Sequence, residues 1–152
     1  MFRQILCPTD FSKYSDIIMN YAESLAERFD SHIYLLHCIE ILLPDPEYTA
    51  AYADFEQLYQ AMEKNSHIKL NQIQKRFESK NIPVTSKIII GKPFVEIIKY
   101  AKGVSADLII MGTHGASALS HILFGSTADK VVRKAPCPVM TVKHPDHTFI
   151  LP

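Results

Sequence analysis

The chain has 152 residues, a length typical of one domain with its own hydrophobic core. Hydrophobic residues make up 47% of it and charged residues 21%, a balance that excludes an intrinsically disordered chain. Sixteen basic and sixteen acidic side chains cancel, so no global field attracts nucleic acid or an anionic membrane, and we expect neither as a partner.

The sequence also indicates a cellular compartment. Its apolar runs are too short to cross a bilayer, and the opening segment MFRQILCPTD turns polar too early for a signal peptide. Cys7, Cys38 and Cys137 are odd in number and far apart, which argues against a disulfide framework or a zinc site. We therefore expect buried, reduced thiols and a cytoplasmic protein.

Short apolar runs alternate with longer segments of helical period, which is the pattern of a parallel sheet with crossover helices. The first predicted strand is RQILCP, residues 3–8, and a helix with Ser12 as its N-cap follows it. The second predicted strand is SHIYLLHCIE, residues 31–40. The apolar stripe of the helix between them has spacings of three and four and consists of Ile18, Tyr21, Ala22, Leu25, Ala26 and Phe29.

The middle of the chain predicts a loop, a long helix and a third strand. Residues 42–52 are rich in proline and tyrosine and lack a clear period, so we expect an irregular loop there. The third predicted strand is VTSKIIIG, residues 84–91. The long helix before it carries a stripe formed by Phe55, Leu58, Met62, Leu70, Ile73 and Phe77.

Two more helices and two more strands complete the pattern. Pro93 stands where a first helical turn tolerates proline, and that helix ends near Gly103. The fourth predicted strand is ADLIIMG, residues 106–112, and the fifth is CPVMTVK, residues 137–143. The helix between these strands, which Pro136 and Pro138 end, carries Ala128, Val131, Val132 and Ala135.

Five strands and four crossovers indicate a parallel sheet with crossover helices. We expect a single open sheet in the order 3-2-1-4-5 with helices on both faces, a Rossmann-like α/β fold. Ligands of such sheets bind outside the carboxyl ends of the strands, where the strand order reverses. In this order the reversal lies between strands 1 and 4. Residues 8–10 and residues 112–115 should therefore face each other across one crevice.

The fourth strand is followed by a glycine-bracketed loop, GTHGASALSHILFGST, residues 112–127. Gly112 and Gly115 let the backbone approach a ligand without an intervening Cβ. Gly125, Ser126 and Thr127 open a helix, where unpaired N–H groups and the helix dipole favour a phosphate. The loop thus predicts a nucleotide-phosphate site, and the alternative is that its glycines only shape a tight turn. The sequence has neither the Gly-x-Gly-x-x-Gly of dinucleotide sites after strand 1 nor the Gly-Lys-Ser/Thr of a P-loop.

Polar residues near these segments have separate expected roles. Asp10 would repel a phosphate, so it is better suited to accept hydrogen bonds from ribose hydroxyls or to hold a divalent cation bound with the phosphates. His114 lies inside the glycine loop, where contact with phosphate and exposure to solvent are both open. His37 is expected to be a core histidine with satisfied hydrogen bonds. Asp129 lies within a helix and should not form a catalytic carboxylate pair with Asp10.

The chain resembles the universal stress proteins of the UspA type along nearly its whole length. The shared segments are ILCPTDFS, LLHCIE, GKPFVEIIKYAKGVSADLIIMGTHG and GSTADKVVRKAPCPVMTVK. The nucleotide-binding subgroup of that family carries the pattern G-x2-G-x9-G-[ST], which Gly112, Gly115, Gly125 and Ser126 match without a gap. The resemblance implies an adenine nucleotide alpha hydrolase-like fold and ATP as the ligand, and it leaves open whether Mg²⁺ accompanies the ATP.

The resemblance also implies which residues form the site. Residues 8–10 match the segment that lines the adenosine, and Cys38 replaces a more usual valine whose backbone contacts adenine. The segments 111–115 and 125–127 match those that hold ribose and phosphates. The implied site comprises Pro8, Thr9, Asp10, Cys38, Met111, Gly112, His114, Gly115, Gly125, Ser126 and Thr127.

Three functions follow from these patterns. The first is an ATP-binding stress protein in which bound nucleotide biases a dimer between states. The second is an ATP hydrolase or nucleotidyl transferase, for which the sequence lacks a positioned general base and an obvious arginine clamp. The third is a scaffold that binds no nucleotide.

Assembly and domain limits are further expectations. The fifth strand should lie at an edge of the sheet, and in the family the corresponding strands of two subunits pair across a two-fold axis. The resemblance therefore implies a homodimer through Val139 to Val142. We expect residues 1–144 to form the universal stress protein domain and residues 145–152 to form a C-terminal tail.

Overall fold

Strands and helices alternate in the computed structural model, which describes residues 1–40, 51–113 and 125–143. The sheet has the order β3-β2-β1-β4-β5, and every neighbouring pair of strands is parallel. This confirms the predicted topology. The elements are β1 (Gln4–Pro8), α1 (Ser15–Phe29), β2 (His32–Ile39), α2 (Ala51–Glu78), β3 (Val84–Ile90), α3 (Pro93–Gly103), β4 (Leu108–Gly112), α4 (Ser126–Lys134) and β5 (Val139–Val142).

Alternate residues of the strands build two core layers, one on each face of the sheet. In β1, Ile5 and Cys7 belong to the layer that α1 and α2 cover, whereas Leu6 belongs to the layer under α3 and α4. This division follows from the two-residue period of a strand. In register, Ile5 lies beside Ile33 of β2 on one side and Leu108 of β4 on the other. Since both faces of β1 are covered, its aliphatic run is continuous, as predicted for a central parallel strand.

A buried carboxylate ties α1 to α2. Glu23 of α1 is only 5% exposed. It lies between two cations, Arg76 of α2 and Lys80 of the turn after α2. Arg76 Nε donates to its Oε1 at 2.5 Å, and Lys80 Nζ donates to its Oε2 at 2.8 Å. Burial alone raises the pKa of the Glu23 carboxyl, but the hydrogen bonds from Arg76 and Lys80 outweigh burial and lower it below its ordinary value.

Two predicted boundaries are wrong. Helix α1 begins at Ser15, and its N-cap is Tyr14 rather than Ser12. Ser12 belongs to the preceding turn, where its N–H donates to Asp10 Oδ1 at 3.0 Å and its carbonyl accepts from the Ser15 N–H at 2.9 Å. Helix α2 begins at Ala51, so residues 51–52 are helical, and the rest of the predicted loop, up to residue 50, lies outside the described residues.

Several residues of the predicted apolar stripes are exposed. Leu58 and Met62 share a helix face with the buried Leu70 and Phe77, yet they are 58% and 44% exposed. The reason is length: 28 residues of α2 span about 42 Å, whereas the eight residues of β2 span about 26 Å. The first half of α2 therefore extends beyond the described strands. Tyr21 of α1 and Val132 of α4 are also exposed, at 46% and 45%, because they lie at the margins of their stripes. The side chain of Phe55, which also belongs to the predicted stripe, lies outside the described part of the structure.

The three cysteines are free thiols, as expected, but only Cys7 is buried. Cys38 and Cys137 are partly exposed, so the prediction that all three are buried is wrong. Cys38 is partly exposed because it lines a cavity. In the described part of the chain, each helix is too short or too polar to cross a membrane.

Candidate functional site

The carboxyl ends of β1, β2 and β4 open onto one cavity of about 380 Å³. This volume lies within the range of small-molecule sites in proteins. His114 and Gly115, which the sequence places in the site, lie outside the described residues. The other predicted site residues all line the cavity: Pro8, Thr9, Asp10, Cys38, Met111, Gly112, Gly125, Ser126 and Thr127.

The two ends of the glycine loop meet at this cavity. The Gly125 N–H donates to the Thr113 carbonyl at 2.8 Å, and the Thr113 N–H continues the ladder to Val142 at 3.1 Å. Gly125 is the N-cap of α4, and no side chain caps that helix. The first-turn N–H groups of a helix lack intrahelical acceptors, and the helix dipole makes this end attractive to anions. The cavity therefore has an anion-compatible end formed by residues 125–127.

The turn after β1 places Asp10 at the cavity. Thr9 is buried, and its N–H donates to the Leu36 carbonyl of β2 at 2.8 Å. Its hydroxyl forms a hydrogen bond with Ser15 Oγ at 3.1 Å and accepts from the Phe11 N–H at 3.1 Å. Phe11 adopts a left-handed backbone conformation with φ of 58°, which costs about 1–3 kcal/mol in a residue with a side chain. The hydrogen bonds around Thr9 hold this turn.

His37 supports the same turn from β2. Its Nδ1 lies 2.8 Å from the Thr9 carbonyl oxygen, and its ring centre lies 4.2 Å from that of Phe11. A carbonyl only accepts, so Nδ1 carries the proton. Burial lowers the pKa of His37, although the Thr9 carbonyl and the charge of Asp10 oppose this effect. The expected hydrogen-bonded histidine is present, but it is half-buried and packs against the candidate site.

Part of the cavity lining is apolar. Leu36, Cys38, Pro93, Ile97 and Met111 contribute to it from β2, α3 and β4. The Cys38 thiol points toward the Pro93 carbonyl, 4.0 Å from Sγ to oxygen. Burial, with a smaller effect from Glu96, raises the pKa of Cys38 to about 12, so the thiol is protonated and is not a nucleophile at neutral pH. These residues suit a flat, apolar group better than a charged one.

The cavity includes residues that the sequence patterns did not assign to it. Glu40 directly follows β2, so the rule that ligands bind at strand ends could have found it, whereas Thr113 lies in the segment 112–115 that was predicted to face the crevice. The remaining lining residues were interpreted only as parts of the predicted strands and helices, and for these the sequence carried no separate signal. The unassigned lining residues are Ile18, Leu36, Glu40, Pro93, Ile97 and Ala128.

Charged residues of α4 interact with each other and with α3. Asp129 Oδ1 accepts from Arg133 Nε at 2.9 Å one turn along the helix, and Asp129 is not among the described residues that line the cavity. Lys130 Nζ lies 4.8 Å from the centre of the Phe94 ring. Across residues 1–40, 51–113 and 125–143, no group of three or more His, Cys, Asp or Glu side chains could hold a metal ion.

Comparison with known proteins shows the same fold and the same family. Universal stress protein MJ0531 of Methanocaldococcus jannaschii is 30% identical over 149 residues, which cover 95% of this chain and 84% of that protein. Universal stress protein MJ0577 of the same organism is 31% identical over 155 residues, covering 94% and 96%.

Solved structures agree. The structure of MJ0577 superposes with a TM-score of 0.86 at 30% identity and covers 96% of this chain and 99% of that one. The universal stress protein of Archaeoglobus fulgidus in complex with dAMP has a TM-score of 0.62 at 22% identity, covers 93% and 98%, and so shares the fold. The sequence profile of the Universal stress protein family matches residues 1–143. The chain therefore belongs to the universal stress protein family.

Proposed function

We propose that the cavity binds ATP and that the protein acts in the cytoplasm as a nucleotide-dependent, dimeric stress-response regulator. The observation that carries this proposal is the meeting of Gly112–Thr113 with the uncapped start of α4 at a cavity of ligand size. Three free thiols are compatible with a reducing compartment.

The chemistry of the lining residues suggests how the nucleotide lies. Adenine suits the apolar residues around Cys38 and Pro93, and the phosphates suit the start of α4 with its Ser126 and Thr127 hydroxyls. Asp10, in the turn after the central strand, could accept hydrogen bonds from ribose hydroxyls through its carboxylate. The dAMP complex of the Archaeoglobus fulgidus protein shows that this fold can hold an adenine mononucleotide.

Binding of a magnesium ion would depend mainly on the phosphate oxygens of the nucleotide. Asp10 and Glu40 are the carboxylates among the described lining residues, and Mg²⁺ usually combines one or two carboxylates with phosphate oxygens and water. Asp10 is therefore the residue that we expect to contact a metal if one accompanies ATP. Mg²⁺ would screen the charge between this carboxylate and the phosphates.

The proposed dimer uses β5. This strand lies at the edge of the sheet, pairs with β4 among the described elements, and has the partly exposed sequence Val139–Thr141 before the buried Val142. An apolar edge strand readily pairs with a second copy. Light scattering after size exclusion should give twice the chain mass at micromolar concentration, and a monomer would contradict the dimer.

Mass spectrometry of molecules released by heat from freshly purified protein tests the function. ATP in near-stoichiometric amount supports the proposal. Bound ADP or AMP would favour the hydrolase, and the absence of any nucleotide would favour the scaffold. The dimer dissociation constant should differ with and without ATP, because a ligand biases an equilibrium only through different affinities for its states.

A further inference from the structure

We propose that His37 is a positioning residue for Asp10, acting through its hydrogen bond to the Thr9 carbonyl and its contact with the Phe11 ring. This inference rests on the proposed function for its effect on ATP, since Asp10 is the residue expected to contact ribose. His37 lies in β2 and Asp10 lies in the turn after β1, 27 positions apart in sequence, and the pairing of β1 with β2 brings them together.

The turn that carries Asp10 is fixed on β2 by two hydrogen bonds at Thr9. The Thr9 N–H donates to Leu36, and the Thr9 carbonyl accepts from His37 Nδ1, each at 2.8 Å. Thr9 is 7% exposed, so water cannot easily replace the histidine as donor. Asp10 follows this doubly held residue directly.

Phe11 fixes the other side of Asp10. Its left-handed backbone, with φ of 58°, persists only because the surroundings hold it. The His37 ring packs 4.2 Å from the Phe11 ring centre, and Lys69 Nζ of α2 lies 5.3 Å from the same ring. His37 therefore contacts both neighbours of Asp10, Thr9 by a hydrogen bond and Phe11 by ring packing.

Removing the donor should release this turn. Without the histidine N–H, the buried Thr9 carbonyl loses its partner, and the strained conformation at Phe11 can relax toward the common region of backbone space. The Asp10 carboxylate would then sample positions away from the ribose. The fold itself should survive, because the β1–β2 ladder continues through five registered pairs.

The test compares three variants with the wild type. His37→Phe keeps a ring beside Phe11 but lacks the donor, whereas His37→Asn retains an N–H donor near the position of Nδ1. His32→Phe is the matched control, since His32 begins the same strand, bonds to Thr85 Oγ1 at 2.8 Å and does not line the cavity.

Amide hydrogen exchange gives a readout that needs no ligand. The Phe11 N–H, which donates to Thr9 Oγ1, should exchange about tenfold faster in His37→Phe, recover in His37→Asn and stay unchanged in the control. Equal exchange in the wild type and His37→Phe would overturn the inference. If His37→Phe does not fold, His37→Gln, whose donor is displaced, replaces it under the same criteria.

The nucleotide readout is the ratio of affinities for ATP and 2′,3′-dideoxy-ATP. His37→Phe should reduce this ratio toward the value in Asp10→Asn, and adding His37→Phe to Asp10→Asn should change it no further. Additive effects of the two substitutions on this ratio would contradict the proposal that His37 positions Asp10. A wild type that binds neither nucleotide would refute the proposed function instead, and the exchange experiment would still decide the role of His37.

Discussion

Asp10→Asn should weaken binding of adenosine about tenfold while leaving the fold intact. The carboxylate already accepts the Ser12 N–H at 3.0 Å through Oδ1, and an asparagine oxygen can keep that bond. What the amide loses is the negative charge that strengthens acceptance from ribose hydroxyls. The substitution therefore separates the role of Asp10 in the ligand site from its role in the turn.

Two effects of opposite sign set the change in ATP affinity that Asp10→Asn should cause. A hydrogen bond to a charged group contributes about 1.5–3 kcal/mol, and the low end applies because Asp10 is exposed. Against this, removing a negative charge relieves repulsion from the phosphates. At about 10 Å in water this repulsion is about 0.4 kcal/mol per charge, and salt screens it further. The hydrogen-bond loss should dominate for adenosine and be partly offset for ATP.

Isothermal titration calorimetry with adenosine, AMP and ATP on both proteins measures these terms. The loss of affinity in Asp10→Asn should shrink from adenosine to ATP as the phosphate charge grows. Asp10→Ala is the companion variant, because it removes both the charge and the turn hydrogen bond and should bind adenosine more weakly than Asp10→Asn. Unchanged adenosine affinity in Asp10→Asn would refute the assignment of this residue to the ribose.

Three further substitutions test other parts of the structure. Glu23→Gln should lower the free energy of unfolding by about 1–3 kcal/mol at pH 7, measured by urea denaturation, because Arg76 and Lys80 lose their charged acceptor. The folded-state pKa of Glu23 lies below its ordinary value of about 4.3. The difference in unfolding free energy between wild type and Glu23→Gln should therefore be fully present above a pH of about 4.3 and shrink as the pH falls through the folded-state pKa. A pH-independent difference would contradict the ion pairing. Gly91→Ala should cost about 1–3 kcal/mol in the same assay, because its φ of 151° is unfavourable with a Cβ, and an unchanged midpoint would contradict that strain. Thr127→Val should weaken ATP about tenfold yet leave adenosine unaffected in calorimetry, and equal losses for both ligands would place Thr127 away from the phosphates.

Local sequence patterns predicted the architecture because they encode faces and periods. The continuous aliphatic run of β4 indicated a strand buried on both sides, and the glycines after it indicated a turn at its carboxyl end. The alternation of strands and crossover helices then indicated a parallel sheet. These are properties of consecutive residues, so the sequence is sufficient to predict them.

Helix boundaries and exposure were harder to predict because they depend on neighbours. Ser12 has the chemistry of an N-cap, but Asp10 accepts its N–H in a turn and the helix starts three residues later. Leu58 and Met62 continue the apolar stripe of α2, but they are exposed because α2 is longer than the described strands on which it packs. Periodicity shows which face of a helix is apolar without showing what packs on it.

The amino-acid sequence by itself determined the order of the elements and the chemistry available at the strand ends, through short-range periodicity, glycine positions and helix-opening residues. Only the tertiary structure decided that Gly125 bonds to Thr113, that Glu40 joins the cavity, and that His37 supports the turn before Asp10. These contacts join segments far apart in the chain, and parallel pairing of β1, β2 and β4 places their carboxyl ends at one edge of the sheet.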